Sequence, residues 1–341
     1  MGEFSVEQGP FEALRFCLAN FPDYCGEPVR YELKGSAAMG TTERLETSTD
    51  SGSCQLDKIP EAKELAKSAR LGAGFVITHV GLWAPAAGFL SAQEAESTLN
   101  MLHLWFGLLC GTWAGPLFPQ GLDAEGEFVW RQFAPWTLRE SRPASTWLPS
   151  RTRLDLSAAF RGFVQKWHDP KWNEPLRLSV SWYVEANSRG IANESRIILA
   201  QASLELLSWV LLVEAEPLHS HRDFDKITAA GKIRALLHHI RVSTIIPDHL
   251  RQLDSVRDND AFDGPGVITK IRNGLVHSTE KKRRTIEKVD GLQRWECSEL
   301  ALQYLELAIL AICGHDGHYA RRGRRGYKGD NEALVPWSLE N

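Results

Sequence analysis

Beyond residue 150 the chain is a succession of apolar segments of helical length. These segments are 154–167, 176–188, 192–214, 224–242, 265–282 and 297–313. Turn signals separate them, among them Pro170, Gly190, Pro217 and Pro247. Asp263-Gly264-Pro265 precedes the fifth segment and is typical of a helix start, because proline is well placed in a first helical turn. The pattern therefore predicts an all-α domain over residues 151–318.

Before residue 150 the sequence has a mixed texture. Residues 75–83 are β-branched and aromatic and predict a strand, with further strand candidates at 11–21, 29–33 and 121–136. Residues 91–110 predict a helix, because Ser91 and Glu94 have the spacing of a capping box. Residues 35–58 are rich in Gly, Ser and Thr and predict a loop. The predicted class is α+β, with a β-containing domain of unreadable role over residues 1–150.

The two ends of the chain and its most apolar stretch indicate where the protein is located. The first ten residues carry acids and no apolar run, so they do not predict a signal peptide. Residues 197–213 are the most apolar stretch but contain polar side chains and are shorter than the roughly 20 residues of a membrane span. We therefore expect a buried core helix in a cytoplasmic protein without a membrane partner. Residues 319–341 are rich in glycine and arginine and predict a basic, flexible tail.

Metal and nucleic-acid chemistry must be local if they are present. The six cysteines form no Cys-x-x-Cys pair, so we expect neither a zinc site nor any other cofactor. The net charge is −4, which means that any binding to nucleic acid must come from a local basic patch. One such patch is the run Lys281, Lys282, Arg283 and Arg284.

The segment Arg272-Asn273-Gly274-Leu275-Val276-His277 carries the candidate chemistry. In a regular helix, Asn273 and His277 lie one turn apart on the same face, and Arg272 must bend around the helix to join them. Histidine can move a proton near neutral pH, and a guanidinium matches the oxygens of a phosphate. The spacing alone is weak, because Arg-x4-His occurs a second time at Arg234 and His239. Only the first occurrence has a polar neighbour and a basic run beside it.

This motif resembles the Arg-polar-x3-His motif of the HEPN superfamily, which is usually found late in an α-helical bundle. The apolar segment 194–209, ESRIILAQASLELLSW, is similar to the opening core helix of ApeA-like bacterial HEPN domains. The preceding WYVEAN at 182–187 resembles bacterial proteins that carry a YopA central domain. The resemblance covers roughly residues 150–315 and extends only loosely to 121–130. Gly274 departs from the bulkier residue expected there, which bears on helix regularity more than on chemistry.

The resemblance implies a metal-independent endoribonuclease that acts as a homodimer, in bacterial antiphage defence or stress response. Arg272 and His277 would be catalytic and Asn273 supportive, while Lys281–Arg284 would bind RNA, with tRNA and mRNA both open as targets. The alternative is a catalytically inactive HEPN module for dimerisation or for binding RNA or a nucleotide. Glu194 or Glu205 could orient Arg272, or could be an ordinary surface or ion-pairing acid. The aromatic side chains Trp130, Phe133, Trp136 and Trp147 could stack on bases or form a core.

Overall fold

The computed structural model describes residues 5–6, 10–32, 39–72, 74–138, 144–277, 279–323 and 330–338. The chain divides into two compact units. The N-terminal unit comprises residues 1–144 and 148–164, and the C-terminal unit comprises residues 145–147 and 165–341. An antiparallel sheet region precedes a helical region, so the predicted α+β class is confirmed. The predicted boundary was a single one at residue 150. In the structure, residues 145–147 belong to the C-terminal unit and residues 148–164 to the N-terminal unit.

The N-terminal unit is built on an eight-stranded antiparallel sheet with the order β1-β8-β7-β2-β6-β5-β4-β3. Its strands are β1 Ser5–Val6, β2 Ala13–Ala19, β3 Glu27–Glu32, β4 Met39–Thr49, β5 Gly52–Lys58, β6 Ile77–Pro85, β7 Leu117–Leu122 and β8 Phe128–Gln132. Its helices are α1 Ala62–Gly72 and α2 Ala92–Cys110, and α3 Ser157–His168 begins in this unit and ends in the other. The strand predicted at 75–83 and the helix predicted at 91–110 are confirmed as β6 and α2.

Helix α2 supplies much of the core of this unit. Ser91 caps its first turn, and the predicted capping box with Glu94 is present. On the buried side, the ring of Phe106 lies 5.7 Å from Phe16 of β2, which places the helix against the sheet. Trp105 lies 5.2 Å from Phe160 at the start of α3. These aromatic side chains form a hydrophobic core on one face of the sheet.

The loop predicted at residues 35–58 is wrong where the structure describes it, because β4 and β5 form a hairpin there. Leu45 lies opposite Leu56 in the register, and both side chains are buried. Across the same pair of strands, Arg44 donates two hydrogen bonds to Asp57, at 2.6 and 2.8 Å. The Gly, Ser and Thr content suggested a loop, but the alternation of buried and exposed positions is that of a strand. Residues 35–38 lie outside the described part of the chain.

The C-terminal unit is a helical bundle followed by a small hairpin. Its helices are α4 Asn173–Asn187, α5 Asn193–Trp209, α6 His221–Asp225, α7 Ala229–His239, α8 Arg251–Asp254, α9 Gly264–Val276, α10 Glu280–Glu287 and α11 Gly291–Ile312. Helix α5 continues as a π-helical segment, Val210–Ala215, and the hairpin strands are β9 His318–Ala320 and β10 Glu332–Leu334. A short 3-10 turn, Pro336–Ser338, follows. Helices α5 and α11 pack against each other and against α4 and α9, which makes them the centre of the bundle.

The apolar stretch predicted as a core helix is confirmed as α5 and its π-helical continuation. Among the described residues, Asn193–Ala215 is long and apolar enough to cross a membrane, and 61% of its apolar window is buried inside the structure. Such burial is typical of the core helix of a folded domain.

Two of the predicted helices are divided. The segment predicted at 224–242 overlaps two helices, because α6 ends at Asp225 and α7 begins at Ala229. Thr228 caps α7 by accepting a hydrogen bond from the N–H of Gly231 on its hydroxyl oxygen. The segment predicted at 265–282 ends at Val276 as α9, and α10 begins only at Glu280. The prediction of one continuous helix through the basic run is therefore wrong.

The prediction of a flexible tail over residues 319–341 is also wrong for the described residues. Strands β9 and β10 pair, and the N–H of Ala320 donates to the carbonyl oxygen of Trp147 at 2.7 Å. Arg322 follows β9 and is one of the most deeply buried charges, with 1% of its side chain exposed. Residues 324–329 and 339–341 lie outside the described residues. Composition misled here because an arginine within a Gly-Arg sequence is normally solvated.

Arg322 is held by a buried network of charged and polar groups. Its guanidinium donates to both carboxylate oxygens of Glu306 in α11, at 2.7 and 2.8 Å, and to Asn187 Oδ1 in α4 at 2.9 Å. The hydroxyl of Tyr183 donates to the same Glu306 carboxylate at 2.6 Å. Burial lowers the pKa of Arg322, but the charge and hydrogen bonds of Glu306 outweigh this and raise it, so the guanidinium stays charged. A fork-to-fork pair with such partners compensates much of the desolvation.

We predict that Arg322→Ala lowers the free energy of unfolding by about 3–5 kcal/mol, because it leaves the Glu306 carboxylate buried without its cation. The matched control is Arg321→Ala, since the Arg321 side chain has no carboxylate partner among the described residues. Urea unfolding of the three proteins measures the difference. Equal midpoints for the two variants would contradict a structural role for the buried pair.

His79 of β6 is a buried histidine in the core of the N-terminal unit. Its ring lies 5.1 Å from Phe21 and 5.4 Å from Tyr24, and its Nδ1 is 2.9 Å from Thr78 Oγ1. Burial, aided by the charge of Lys58, lowers the pKa of His79 from 6.5 to about 3. As the pH falls, His79 is therefore protonated in the unfolded chain before it is protonated in the folded protein. Above about pH 6.5 the ring is neutral in both states and does not lower the free energy of unfolding. As the pH falls from there towards about 3, protonation of the unfolded chain lowers the free energy of unfolding.

We predict that the wild-type protein loses stability, through His79, by about 1.4 kcal/mol for each pH unit below roughly pH 6. His79→Phe keeps an aromatic ring in the site but cannot bind a proton, so its stability should fall less steeply. Chemical unfolding of both proteins between pH 7 and 4.5 measures the slopes. Parallel pH profiles would show that His79 is not the titrating group.

Candidate functional site

Helix α9 carries the sequence motif, and Asp263 fixes where this helix begins. Its carboxylate accepts a hydrogen bond from the N–H of Gly266 at 2.9 Å, and Pro265 lies in the first turn as predicted. The same carboxylate accepts two hydrogen bonds from Arg234 of α7, at 2.7 and 2.9 Å. Burial alone would raise the pKa of Asp263. These hydrogen bonds outweigh burial and leave the pKa below its ordinary value. One side chain thus caps α9 and ties it to α7.

This arrangement separates the two Arg-x4-His occurrences. Arg234 uses its guanidinium fork on Asp263, and its charged group also lies 4.9 Å from the centre of the Phe262 ring. His239 Nε2 is 3.0 Å from Glu216 Oε2. Both residues of the second occurrence therefore have structural partners, which agrees with their interpretation as packing residues.

Arg272 differs from the other partly buried arginines on the helices of the bundle. Arg196, Arg234 and Arg294 each contact a carboxylate, whereas Arg321, which follows β9, shares with Arg272 a buried Nε without a partner among the described residues. Arg272 instead donates to Asn273 Oδ1 at 3.3 Å, and its Nε is buried with no hydrogen-bond partner in the described part of the chain. No carboxylate among the described residues pairs with it. A guanidinium in this state is available to an anion from outside the chain.

His277 lies just past the end of α9. Its backbone is extended, with φ −98° and ψ 126°, and its N–H donates to the carbonyl oxygen of Asn273 at 3.2 Å. The side chain is exposed. A distortion of the helix was expected at Gly274. Gly274 is instead a buried position within α9, and the helix ends before His277, three residues later. His277 therefore stays beside Asn273 through the backbone while its ring faces solvent.

The basic run that follows lies on α10, a separate helix. Arg284 is exposed and pairs with Glu280 one turn earlier, at 2.5 Å. The side chains of Lys281, Lys282 and Arg283 lie outside what the structure describes. The run therefore lies shortly after His277, on a helix of its own.

A groove of about 1010 Å³ lies beside the motif and reaches Asn273 and Gly274. Its walls come from the start of α7, the segment 258–261, α9 and α10. Lys270 Nζ lies 2.7 Å from Asp258 Oδ2 on one wall. This groove was not predicted from the sequence, although the acidic sequence Asp258-Asn259-Asp260 before α9 has an unusual local composition.

The other candidates have structural partners. Glu194 accepts a hydrogen bond from Arg294 at 2.6 Å, and Glu205 accepts one from Gln201 at 2.9 Å. Of the four aromatic residues that could stack on bases or form a core, Trp130 and Trp147 are buried, whereas Phe133 is 64% exposed. Within the described ranges, no group of three His, Cys, Asp or Glu side chains converges as metal ligands do.

Comparison with known proteins gives two matches to family models. The model of the YopA central domain matches residues 7–143, and the model of the YopA C-terminal domain matches residues 169–332. The chain resembles the YopA domain families along most of its length. Residues 182–187 resembled proteins with the central domain, but they fall within the match to the C-terminal domain. Neither matching model is a HEPN family.

A curated relative supports the same likeness. The chain is 27% identical over 281 residues to the SPbeta prophage-derived uncharacterized protein YopA of Bacillus subtilis strain 168. The match covers 82% of this chain and 62% of that protein, so the chain spans less than two thirds of the relative. No solved structure shows a significant match to the chain.

Proposed function

We propose that the C-terminal unit is a HEPN-type, metal-independent endoribonuclease that acts in the cytoplasm of a bacterium. The observation that carries the proposal is Arg272, a partly buried guanidinium without a carboxylate partner among the described residues, beside Asn273 and an exposed His277. The bundle is helical and the motif lies late in it, as the HEPN resemblance implies. The curated relative is described as prophage-derived, which is consistent with a role in conflict between phage and host.

The three residues suit cleavage by the neighbouring 2′-hydroxyl of RNA. That oxygen attacks the phosphorus, the bond to the 5′-oxygen breaks, and a 2′,3′-cyclic phosphate forms. One proton must leave the 2′-hydroxyl and one must reach the 5′-oxygen, and a histidine can carry out either transfer. Arg272 would hold the non-bridging oxygens as their charge grows, with Asn273 orienting it. The basic run on α10 would hold flanking phosphates.

We predict that the purified protein cleaves RNA in the presence of EDTA and leaves 2′,3′-cyclic or 3′-phosphate ends. Arg272→Ala and His277→Ala should each reduce cleavage by at least ~100-fold, the usual scale for losing an electrostatic stabiliser or a general acid or base. Asn273→Ala should have an intermediate effect. Gel analysis with end-mapping of the products measures all four proteins.

The second Arg-x4-His occurrence provides the control. His239→Ala should change cleavage by less than a few-fold, because its contact is with Glu216 on a different part of the bundle. Circular dichroism must show that every variant is folded. The proposal fails if folded His277→Ala cleaves like the wild type, or if cleavage requires Mg²⁺ and leaves 5′-phosphates.

We further propose a homodimer in which the motifs of two protomers meet. Within one protomer, neither ring nitrogen of His277 has a hydrogen-bond partner among the described residues, although a general base is normally oriented by a further group. Exposed apolar side chains flank α9, with Phe262 before its start and Val276 at its end. A second protomer could cover these side chains and orient His277.

We predict that mixing Arg272→Ala protein with His277→Ala protein restores part of the cleavage that each lacks. In a mixed dimer with composite sites, one site receives its intact Arg272 and His277 from different chains. Cleavage assays after subunit exchange, together with light scattering, measure this. A monomer that is fully active, with no rescue on mixing, would rule the composite site out.

A second candidate function is binding of RNA or dimerisation by a catalytically inactive HEPN module. The lack of a described partner for the His277 ring also favours this reading. The two are separated by the same assays, because an inactive module would bind RNA through Arg272 and the α10 run without cleaving it. Replacing Lys281, Lys282, Arg283 and Arg284 by Gln should then weaken binding and flatten its salt dependence.

A further inference from the structure

The groove beside α9 differs in chemistry from the motif next to it. It has about 1010 Å³ of space, at the upper end of the roughly 300–1,000 Å³ typical of small-molecule sites. Small side chains keep it open: Ala230 of α7, Ala261, and Gly266 and Gly274 of α9 line it. A Cβ at Gly266 would lie 2.9 Å from the Cα of Ala261, so α9 and the segment before it approach each other closely there. The close packing of the backbone at Gly266 therefore fixes the position of one wall of the groove.

The charges in the groove largely cancel one another. Lys270 pairs with Asp258 at 2.7 Å, and Arg284 pairs with Glu280 at 2.5 Å. Asp260 is an exposed carboxylate whose side chain has no partner within the described ranges. Lys288 also lines the groove, so the three acidic side chains Asp258, Asp260 and Glu280 are matched by the three basic ones Lys270, Arg284 and Lys288. The groove therefore has no net positive charge that would favour a phosphate. The groove thus suits a neutral group with hydrogen-bond donors.

Polar groups in the groove are free to recognise such a neutral group, and Thr269 Oγ1 is one of them, because it has no hydrogen-bond partner among the described residues. The carboxylate of Asp260 can accept hydrogen bonds, and the amide nitrogen of Asn273 can donate them, since only its Oδ1 is engaged by Arg272. Acceptors and donors of this kind read the edges of nucleobases, and a carboxylate takes hydrogen bonds from an exocyclic amino group. Asn273 therefore connects the groove with the guanidinium that is available to a phosphate.

We infer that the groove is a base-binding subsite that takes one unstacked nucleotide of an RNA and prefers a base with an amino group. The identity of the ligand as RNA rests on the proposed function. Adenine, cytosine and guanine would donate to Asp260, whereas uracil offers only carbonyl oxygens and one ring N–H. With the base in the groove, the neighbouring phosphate lies towards Arg272 and His277. The groove then selects which bond is presented to the motif.

The test measures binding of the full chain to short 2′-O-methyl oligouridylates that carry one variable base. The methyl group removes the attacking hydroxyl, so binding is read by fluorescence anisotropy without cleavage. The wild type should bind the A, C and G oligonucleotides about tenfold more tightly than the U oligonucleotide. Asp260→Asn should remove this preference, because an amide can donate to the carbonyl oxygens of uracil as well as accept.

A matched pair of variants tests the space itself. Ala230→Phe should fill the groove and weaken binding of the A, C and G oligonucleotides about tenfold, to the level of U. Ala229→Phe places the same ring on the adjacent, partly exposed residue of α7, which does not line the groove, and should bind like the wild type. Neither substitution should change the salt dependence of binding, since no phosphate contact is altered.

The outcomes separate the subsite from the cleavage mechanism. If the wild type shows no base preference, or Ala230→Phe and Ala229→Phe bind alike, the subsite is wrong even where cleavage depends on His277. If Ala230→Phe loses the preference while His277→Ala cleaves RNA like the wild type, the subsite stands and the proposed catalytic function falls.

Discussion

The C-terminal unit depends on the burial of one guanidinium. Arg322 carries a full charge into a place where water does not reach, and only a matched set of acceptors can keep it there. Those acceptors come from α4, from α11 and from the backbone of Ser145, so segments far apart in the chain must be in place together. Hydrophobic contacts tolerate small shifts, whereas this pair does not. The guanidinium keeps all its acceptors only when α4, α11 and Ser145 are in place together.

The proposed site stands out against this background of satisfied groups. Helices α5, α7 and α11 hold α9 from several sides, and the carboxylate of Asp263 sets the start of the helix. At the other end of the same helix, the polar groups are left with few partners. Arg272 has only an amide, and His277 is turned towards solvent. A rigid scaffold with unsatisfied groups at one edge is the arrangement expected of a place where a ligand completes the hydrogen bonding.

Much of the fold could be predicted from signals that lie within a few residues of one another. The capping box of α2, the β-branched pattern of β6 and the proline in the first turn of α9 all have local physical causes. The β4–β5 hairpin could not be predicted in this way, because its stability comes from cross-strand contacts such as Arg44 with Asp57. The burial of Arg322 was hidden for the same reason. Its partner Glu306 lies 16 positions earlier, on a different element.

The site was partly visible in the sequence. Arg272, Asn273 and His277 lie close enough in the sequence to form a motif. Polar neighbours favoured this motif over Arg234 and His239, and in the structure the two pairs also have different partners. Gly274 was the signal of irregularity near the end of α9, but the helix continues through it, so the break at His277 was not predicted. The groove could not be predicted, because the acidic residues at 258–260 mark only one of its walls, and Ala230 and Asn273 come from separate segments that no local pattern links to them.

The double role of Asp263 restricts how this part of the molecule can change over evolutionary time. Asparagine at this position would keep the helix cap but lose the charge that Arg234 requires. Glutamate would keep the charge but is too long to cap in the same way. Any replacement of Asp263 would therefore disturb α7 and α9 together, although the two helices are separate in the sequence.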